Sequence, residues 1–190
     1  MPHPGFSCAP EILTPRLRLR AHRTDDLENC QALWGDIEVV RHITGQPATR
    51  EETWGRLLRY TGHWCALGFG YWALEDRSTG AFVGEAGLAD YRRDLTPALD
   101  DCAEIGWLLA PHWHGRGLAA EAVQAILAWG DANLTRTCVA CLISPDNHPS
   151  IRLAQRMGFR VWTHTRYRGD KVTLYRREPG VTEASSTGST

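Results

Sequence analysis

Two glycines separated by one residue, Gly115 and Gly117, stand in "PHWHGRGLAAEAV" between an apolar run and a helical one. Glycine lets the backbone approach a ligand closely, and the first amides of a helix have no intrahelical acceptor. The spacing therefore suits an anion, with phosphate the obvious one. Arg116 would add a charge-assisted contact. An ordinary strand-to-helix turn uses the same residues. Neither G-x-G-x-x-G nor G-x-x-x-x-G-K-[ST] occurs at this loop, so neither a dinucleotide fold nor a P-loop is supported.

Two other clusters carry reactive side chains. Cys138-Val139-Ala140-Cys141 is a C-x-x-C, but residues three apart on a strand point to opposite faces, so the two thiols do not converge. His112 and His114 flank Trp113 and offer two imidazoles with no third ligand beside them, so no metal is expected.

The elements that would position the loop follow from periodicity. Leu17, Leu19 and Ala21 alternate with Arg16, Arg18 and Arg20, the pattern of a half-buried strand whose arginines form a solvated face. Thr24 followed by two acids is expected to cap a first helix. A second helix is expected from about Thr49 to Ala66, with Trp54, Leu57, Leu58 and Trp64 at helical spacing. Then "GYWALED", "GAFVGEAGLADY" and "CAEIGWLLA" predict an antiparallel meander with turns at Ser78-Thr79-Gly80 and Thr96-Pro97.

Past the glycine loop, Leu118, Ala122 and Ile126 with Ala119, Val123, Leu127 and Gly130 form one apolar helix face. Arg136 to Ser144 is a strand. "HPSIRLAQRMG" is a helix with Pro149 near its start and Gly158 as its stop, and a hairpin turning at Arg168-Gly169-Asp170 closes the order. The class is α/β or α+β, a sheet with helices on its faces.

The 190 residues suit one domain, expected over 11–178 between a flexible segment at 1–10 and a small, polar, disordered tail at 179–190. A formal net charge of -1 gives no global field toward nucleic acid or an anionic membrane, so neither is an expected partner. No run nears the roughly 18–20 apolar residues that cross a bilayer, and the start lacks a basic and an apolar region, so a cytoplasmic protein is expected. Six scattered cysteines are expected as free thiols, and the eight tryptophans mostly as core. Trp34, Trp54 and Trp64 fall in the first two helices.

Three stretches, "LTPRLRLRAHRTDD", "AEIGWLLAPHWHGRGLAAEA" and "NHPSIRLAQRMGF", together resemble the GNAT superfamily of acyl-CoA-dependent N-acetyltransferases, and more narrowly its RimJ/RimL branch. The resemblance covers about residues 11 to 178. It implies a mixed, mostly antiparallel sheet of six to seven strands flanked by about four helices, with acetyl-CoA as cosubstrate. The family loop Q/R-x-x-G-x-G/A maps onto His114, Gly115, Arg116, Gly117, Leu118 and Ala119, so the amides of residues 115 to 120, Ala120 included, are expected to cradle the CoA pyrophosphate. Here His replaces the family's Gln or Arg. The strand before the loop splays in the family and pairs with pantetheine, which implies Leu108, Leu109 and Ala110, with a backbone N–H as oxyanion donor. The family's N-x-x-S and G-F map onto Asn147, Ser150, Gly158 and Phe159, placing Asn147 near the CoA arm and Ser150 near the thiol. The same two residues also suit a plain helix cap and first turn.

An amine attacks a thioester only when neutral, and lysine and chain-terminal amines titrate near about 10.4 and about 7.7–8.0. A base is needed. Glu104 is the first candidate and Glu85 the second, although each is also a candidate for a paired surface carboxylate. Ala154 stands where the family commonly carries a tyrosine acid, which leaves Ser150, or more loosely Tyr167, to reprotonate the thiolate. Arg166 stands where the RimL-like hairpin tends to carry an acid. Direct transfer in a ternary complex is expected, to a protein N-terminus or a small amine, by a monomer or homodimer. The rival expectation is a non-catalytic acyl-CoA-binding sensor or regulatory module.

Overall fold

The computed structural model describes residues 9–178; the expected tail at 179–190 and residues 1–8 of the expected N-terminal segment lie outside them. Ala9 packs against the main core, and the Pro10 carbonyl accepts from Trp72 Nε1 at 2.8 Å.

In chain order the elements are β1 (Ile12–Leu13), β2 (Leu17–Arg20), a 3-10 turn (Thr24–Asp26), α1 (Leu27–Trp34), α2 (Ile37–Val40), α3 (Arg50–Leu67), β3 (Tyr71–Asp76), β4 (Phe82–Ala89) and β5 (Cys102–Leu109). A second 3-10 turn (Pro111–Trp113), α4 (Leu118–Asn133), β6 (Cys138–Ile143), α5 (His148–Arg156), β7 (Arg160–Tyr167) and β8 (Asp170–Arg177) follow. The sheet runs β1-β2-β3-β4-β5-β6-β8-β7, antiparallel throughout except for β5 beside β6. Among the described residues eight strands and five helices exceed the expected six to seven and about four. The additions are the two-residue β1, paired Ile12 to Leu19, and the four-residue α2, capped by the Asp36 carboxylate. Both are too short to leave a period in the sequence.

The two faces of the sheet are covered differently. Against α4 and α5 lies the main core, where Leu118, Ala122, Val123, Ile126 and Leu127 meet Leu88, Ile105 and their neighbours. On the other face, α1 and α2 bury Leu33, Trp34 and Val40 against Leu108, and Tyr60 of α3 stacks on Tyr71 of β3 with ring centroids 4.8 Å apart. Helix α3 begins at Thr49, whose hydroxyl accepts from the Glu52 amide while the Glu52 carboxylate accepts from the Thr49 amide, a reciprocal cap. Its buried stripe is Thr53, Leu57, Tyr60 and Trp64, whereas Trp54 and Leu58, expected to face inward, are 36% and 48% exposed. The polar types of Thr53 and Tyr60 disguise that stripe. Thr53 returns its hydroxyl to the Thr49 carbonyl, and Tyr60 spends its own on Glu85.

Three further expectations are corrected. Arg20 is not on a solvated face: it is 7% exposed and gives two hydrogen bonds to Asp26 and one to Glu75. Thr24 opens the 3-10 turn rather than capping it, and the Asp26 carboxylate takes the Arg23 amide at 2.7 Å. Cys102 and Cys138 are not free thiols but a disulfide, because the one parallel pairing of the sheet places them in register across 36 residues with Cα atoms 4.6 Å apart. Cys141 stays a buried thiol in the main core, pointing away from Cys138 as the strand period requires.

Gly87 of β4 pairs with Tyr71 of β3 at close range. A Cβ there would collide with the Tyr71 Cα and the Gly70 carbonyl, both backbone atoms that cannot swing aside. Gly87→Ala is expected to cost about 1–3 kcal/mol through strand displacement, read from the denaturant midpoint. An unchanged midpoint would show that the two strands part freely.

Candidate functional site

Strands β5 and β6 touch only at their first three residues, Cys102, Ala103 and Glu104 against Cys138, Val139 and Ala140. Beyond them β6 pairs only with β8, and β5 pairs only with β4 as far as Leu109. A wedge opens between the two parallel strands. The Ala110 amide donates to the Val83 carbonyl at 3.0 Å, so alternation along β5 turns the amide and carbonyl of Leu109 toward the wedge and those of Leu108 toward β4. Of the three residues expected to line a ligand arm, Leu109 thus presents its backbone, while Leu108 packs its side chain against α1 and α2 and Ala110 spends its amide on β4. His114 reaches back so that its Nε2 donates to the Leu109 carbonyl at 2.8 Å, which fixes the proton on that ring nitrogen.

At the mouth of the wedge, Gly115 and Gly117 have φ of 74° and 76°, a left-handed conformation that glycine adopts without the Cβ penalty. No side chain caps α4, and the Glu121 amide donates to the Gly117 carbonyl, so the amides of Leu118, Ala119 and Ala120 have no acceptor within the helix. Arg116 lies over the Trp113 ring at 4.9 Å, and Trp113 is tied to the Phe82 carbonyl. The loop has a brace that the sequence did not disclose. Arg16 donates to the Arg116 carbonyl at 2.7 Å and to Glu121 at 2.7 Å, joining the segment just before β2 to the start of α4. Burial alone would raise the Glu121 pKa, but the Thr14 hydroxyl, the Arg16 amide and the Arg16 guanidinium together lower it.

The two glutamates part company. Glu104 is 8% exposed, and both its oxygens accept from Arg93, at 2.6 and 2.7 Å. The same guanidinium donates to the Tyr167 hydroxyl at 2.9 Å, so the tip of the β7–β8 hairpin reaches the β4–β5 connection across 74 residues. Glu104 and Tyr167 were expected to contribute, and Arg93, in a loop with no period or motif, was missed. Glu85 is 0% exposed, enclosed by Trp34 of α1 and Tyr60 of α3, both of which donate to Oε1. Burial alone would push its pKa up, yet His22 and the Tyr60 and Trp34 hydrogen bonds hold it below the usual carboxylate range. A carboxylate sealed in this way meets no incoming amine, so the second candidate base is withdrawn. Asn147 caps α5, its carbonyl accepting from the Ser150 amide at 3.2 Å, which is the plain structural role open to both residues.

Residues 16–160 match the acetyltransferase (GNAT) domain family. The chain belongs to the GNAT acetyltransferases. The uncharacterized protein YkkB of Bacillus subtilis is 28% identical over 172 residues, covering 88% of this chain and 95% of YkkB. A Bordetella pertussis protein assigned to the GNAT-family acetyltransferases is 34% identical, with a TM-score of 0.78 over 89% of this chain and 99% of that one. At 16% identity, RimL, the ribosomal L7/L12 α-N-protein acetyltransferase solved with coenzyme A, superposes with a TM-score of 0.73 over 89% of this chain and 98% of its own, a likeness of fold. As a GNAT acetyltransferase the chain has acyl-CoA-dependent acetyl transfer as its general chemistry. Among the described residues no helix is long and apolar enough to cross a membrane.

Proposed function

We propose that this GNAT chain moves an acetyl group from acetyl-CoA directly to an amine, either a protein N-terminal amine or a small amine. The observation that carries the reading is the wedge between β5 and β6 beside the Gly115–Gly117 loop. The loop amides and the start of α4 suit the pyrophosphate. The exposed edge of β5 suits pantetheine, with a β5 amide such as that of Leu109 polarising the thioester carbonyl. Holding amine and thioester together supplies much of the acceleration.

Glu104 is the proposed base, directly or through a water. Its two oxygens accept from Arg93, and each retains a lone pair for a further donor. Tyr167 and Ser150 are the proposed acids for the departing thiolate. Glu104→Gln is expected to lower kcat about 10²–10⁴-fold, while leaving the affinity for CoA near the wild-type value. A mutant with the wild-type rate takes Glu104 out of the chemistry.

The doubly engaged Glu104 carboxylate also favours the rival reading, a module that binds acyl-CoA without turnover. A thiol-release assay with acetyl-CoA across N-terminal peptides, polyamines and aminoglycosides separates the two. Release with one class establishes transfer and names the acceptor. Binding by calorimetry with no release from any class leaves the sensor.

A further inference from the structure

The enclosed Glu85 belongs to a cluster that the transfer reaction does not use. His22, just after β2, Cys30 on α1 and Glu85 on β4 bring an imidazole nitrogen, a thiol and a carboxylate oxygen within 4.8 Å of one another. Cys30 is 2% exposed, and the side chains of His22 and Glu85 are 1% and 0% exposed. The two oxygens of Glu85 are employed differently. Oε1 accepts from both Trp34 Nε1 and the Tyr60 hydroxyl, whereas Oε2 faces only the Cys30 sulfur at 3.9 Å and His22 Nε2 at 3.5 Å. Among the described residues neither ring nitrogen of His22 has a hydrogen-bond partner, although both are shut off from solvent. A buried polar atom left in that state costs about 1–3 kcal/mol.

We propose that His22, Cys30 and Glu85 form a structural zinc site. Ligands bound to zinc at about 2.0–2.3 Å lie roughly 3–4 Å apart, so a small contraction of this triangle closes it on an ion. Three protein ligands and a water make a coordination number that zinc accepts. One thiolate and one carboxylate cancel the charge of the dication, which suits a chamber where net charge is costly. The Trp34 and Tyr60 hydrogen bonds to Oε1 orient the carboxylate, as outer partners of metal ligands do.

Without metal, burial, then the charges of Glu85 and Asp26, keep the Cys30 thiol protonated. Binding is therefore an exchange: a sulfur–zinc bond forms, the S–H bond breaks and one proton leaves to solvent. Because the chamber is closed, the ion enters as the chain folds. Its role is to tie β2, α1 and β4 together beneath the sheet face that carries Glu104.

The test uses the full chain without a histidine tag, refolded with one equivalent of cobalt(II) or with a chelator. The expected result is a near-ultraviolet thiolate-to-cobalt charge-transfer band, one ion per chain and a higher thermal midpoint than in the chelated sample. Cys30→Ser loses the band and the rise in midpoint, and Cys141→Ser keeps both. A band that persists in Cys30→Ser overturns the proposal. Should the chain not refold, zinc in native protein from zinc-supplemented cells decides. About one zinc per chain, lost in Cys30→Ser, supports the site, and none overturns it.

Discussion

A Gly117→Val chain is expected to lose coenzyme A binding by about 10²–10⁴-fold in calorimetry while remaining folded. Two causes act together. Valine disfavours the φ of 76° that Gly117 adopts, at a cost of roughly 1–2 kcal/mol, and relief of that strain rotates the amides that open α4. A Cβ at this position also lies 3.5 Å from Arg16 Nη2, within ordinary contact, so the two branches beyond it press on the guanidinium that braces the loop. Two amide bonds to an anionic group, lost at about 1.5–3 kcal/mol each, give the stated range. Wild-type affinity in Gly117→Val would show that the loop is only a turn, and that the phosphates sit elsewhere.

The largest stability effect is expected from Asp26→Ala, about 3–5 kcal/mol by chemical denaturation, a large share of the roughly 5–15 kcal/mol that holds a domain together. Arg20 is buried between Asp26 and Glu75, and removing Asp26 leaves a guanidinium with one carboxylate where it had two. Burial by itself would raise the Asp26 pKa, but the Arg20 hydrogen bonds, the Arg23 amide and the positive charge of Arg20 outweigh it and hold the carboxyl below its ordinary value. A depressed folded pKa contributes stability that is complete above the unfolded value of about 3.9 and drains away as pH falls through the folded one. Wild-type stability should therefore decline below about pH 4, and more shallowly in Asp26→Ala. Equal slopes would mean that folding does not lower the pKa of the Asp26 carboxyl.

Much of the frame was legible because periodicity records burial. The β3–β4–β5 meander, the α4 face and the closing hairpin all lie where alternation or helical spacing placed them. The glycine loop was legible because positive φ beside a helix start restricts the residue type. What escaped the sequence is long-range and polar. Arg93 was invisible because its partners stand 11 and 74 residues away in a loop without pattern. Arg20 misled because alternation assigns a face but not its occupant, and β3 covers that face with Glu75. Glu85 misled in the opposite sense, since a carboxylate on a strand near the wedge looks reactive until Trp34 and Tyr60, from two other helices, close over it.

The reach of Tyr167 to Arg93 gives the order of synthesis a consequence. Strand β7 leaves the ribosome before β8, yet among the described residues its only pairing is with β8, which alone joins it to β6. Until β8 arrives, β6 keeps a bare edge and Arg93 lacks the Tyr167 hydroxyl that completes its clamp on Glu104. A nascent chain stalled short of Asp170 thus carries the glycine loop and most of the core before the Arg93 clamp on Glu104 is complete.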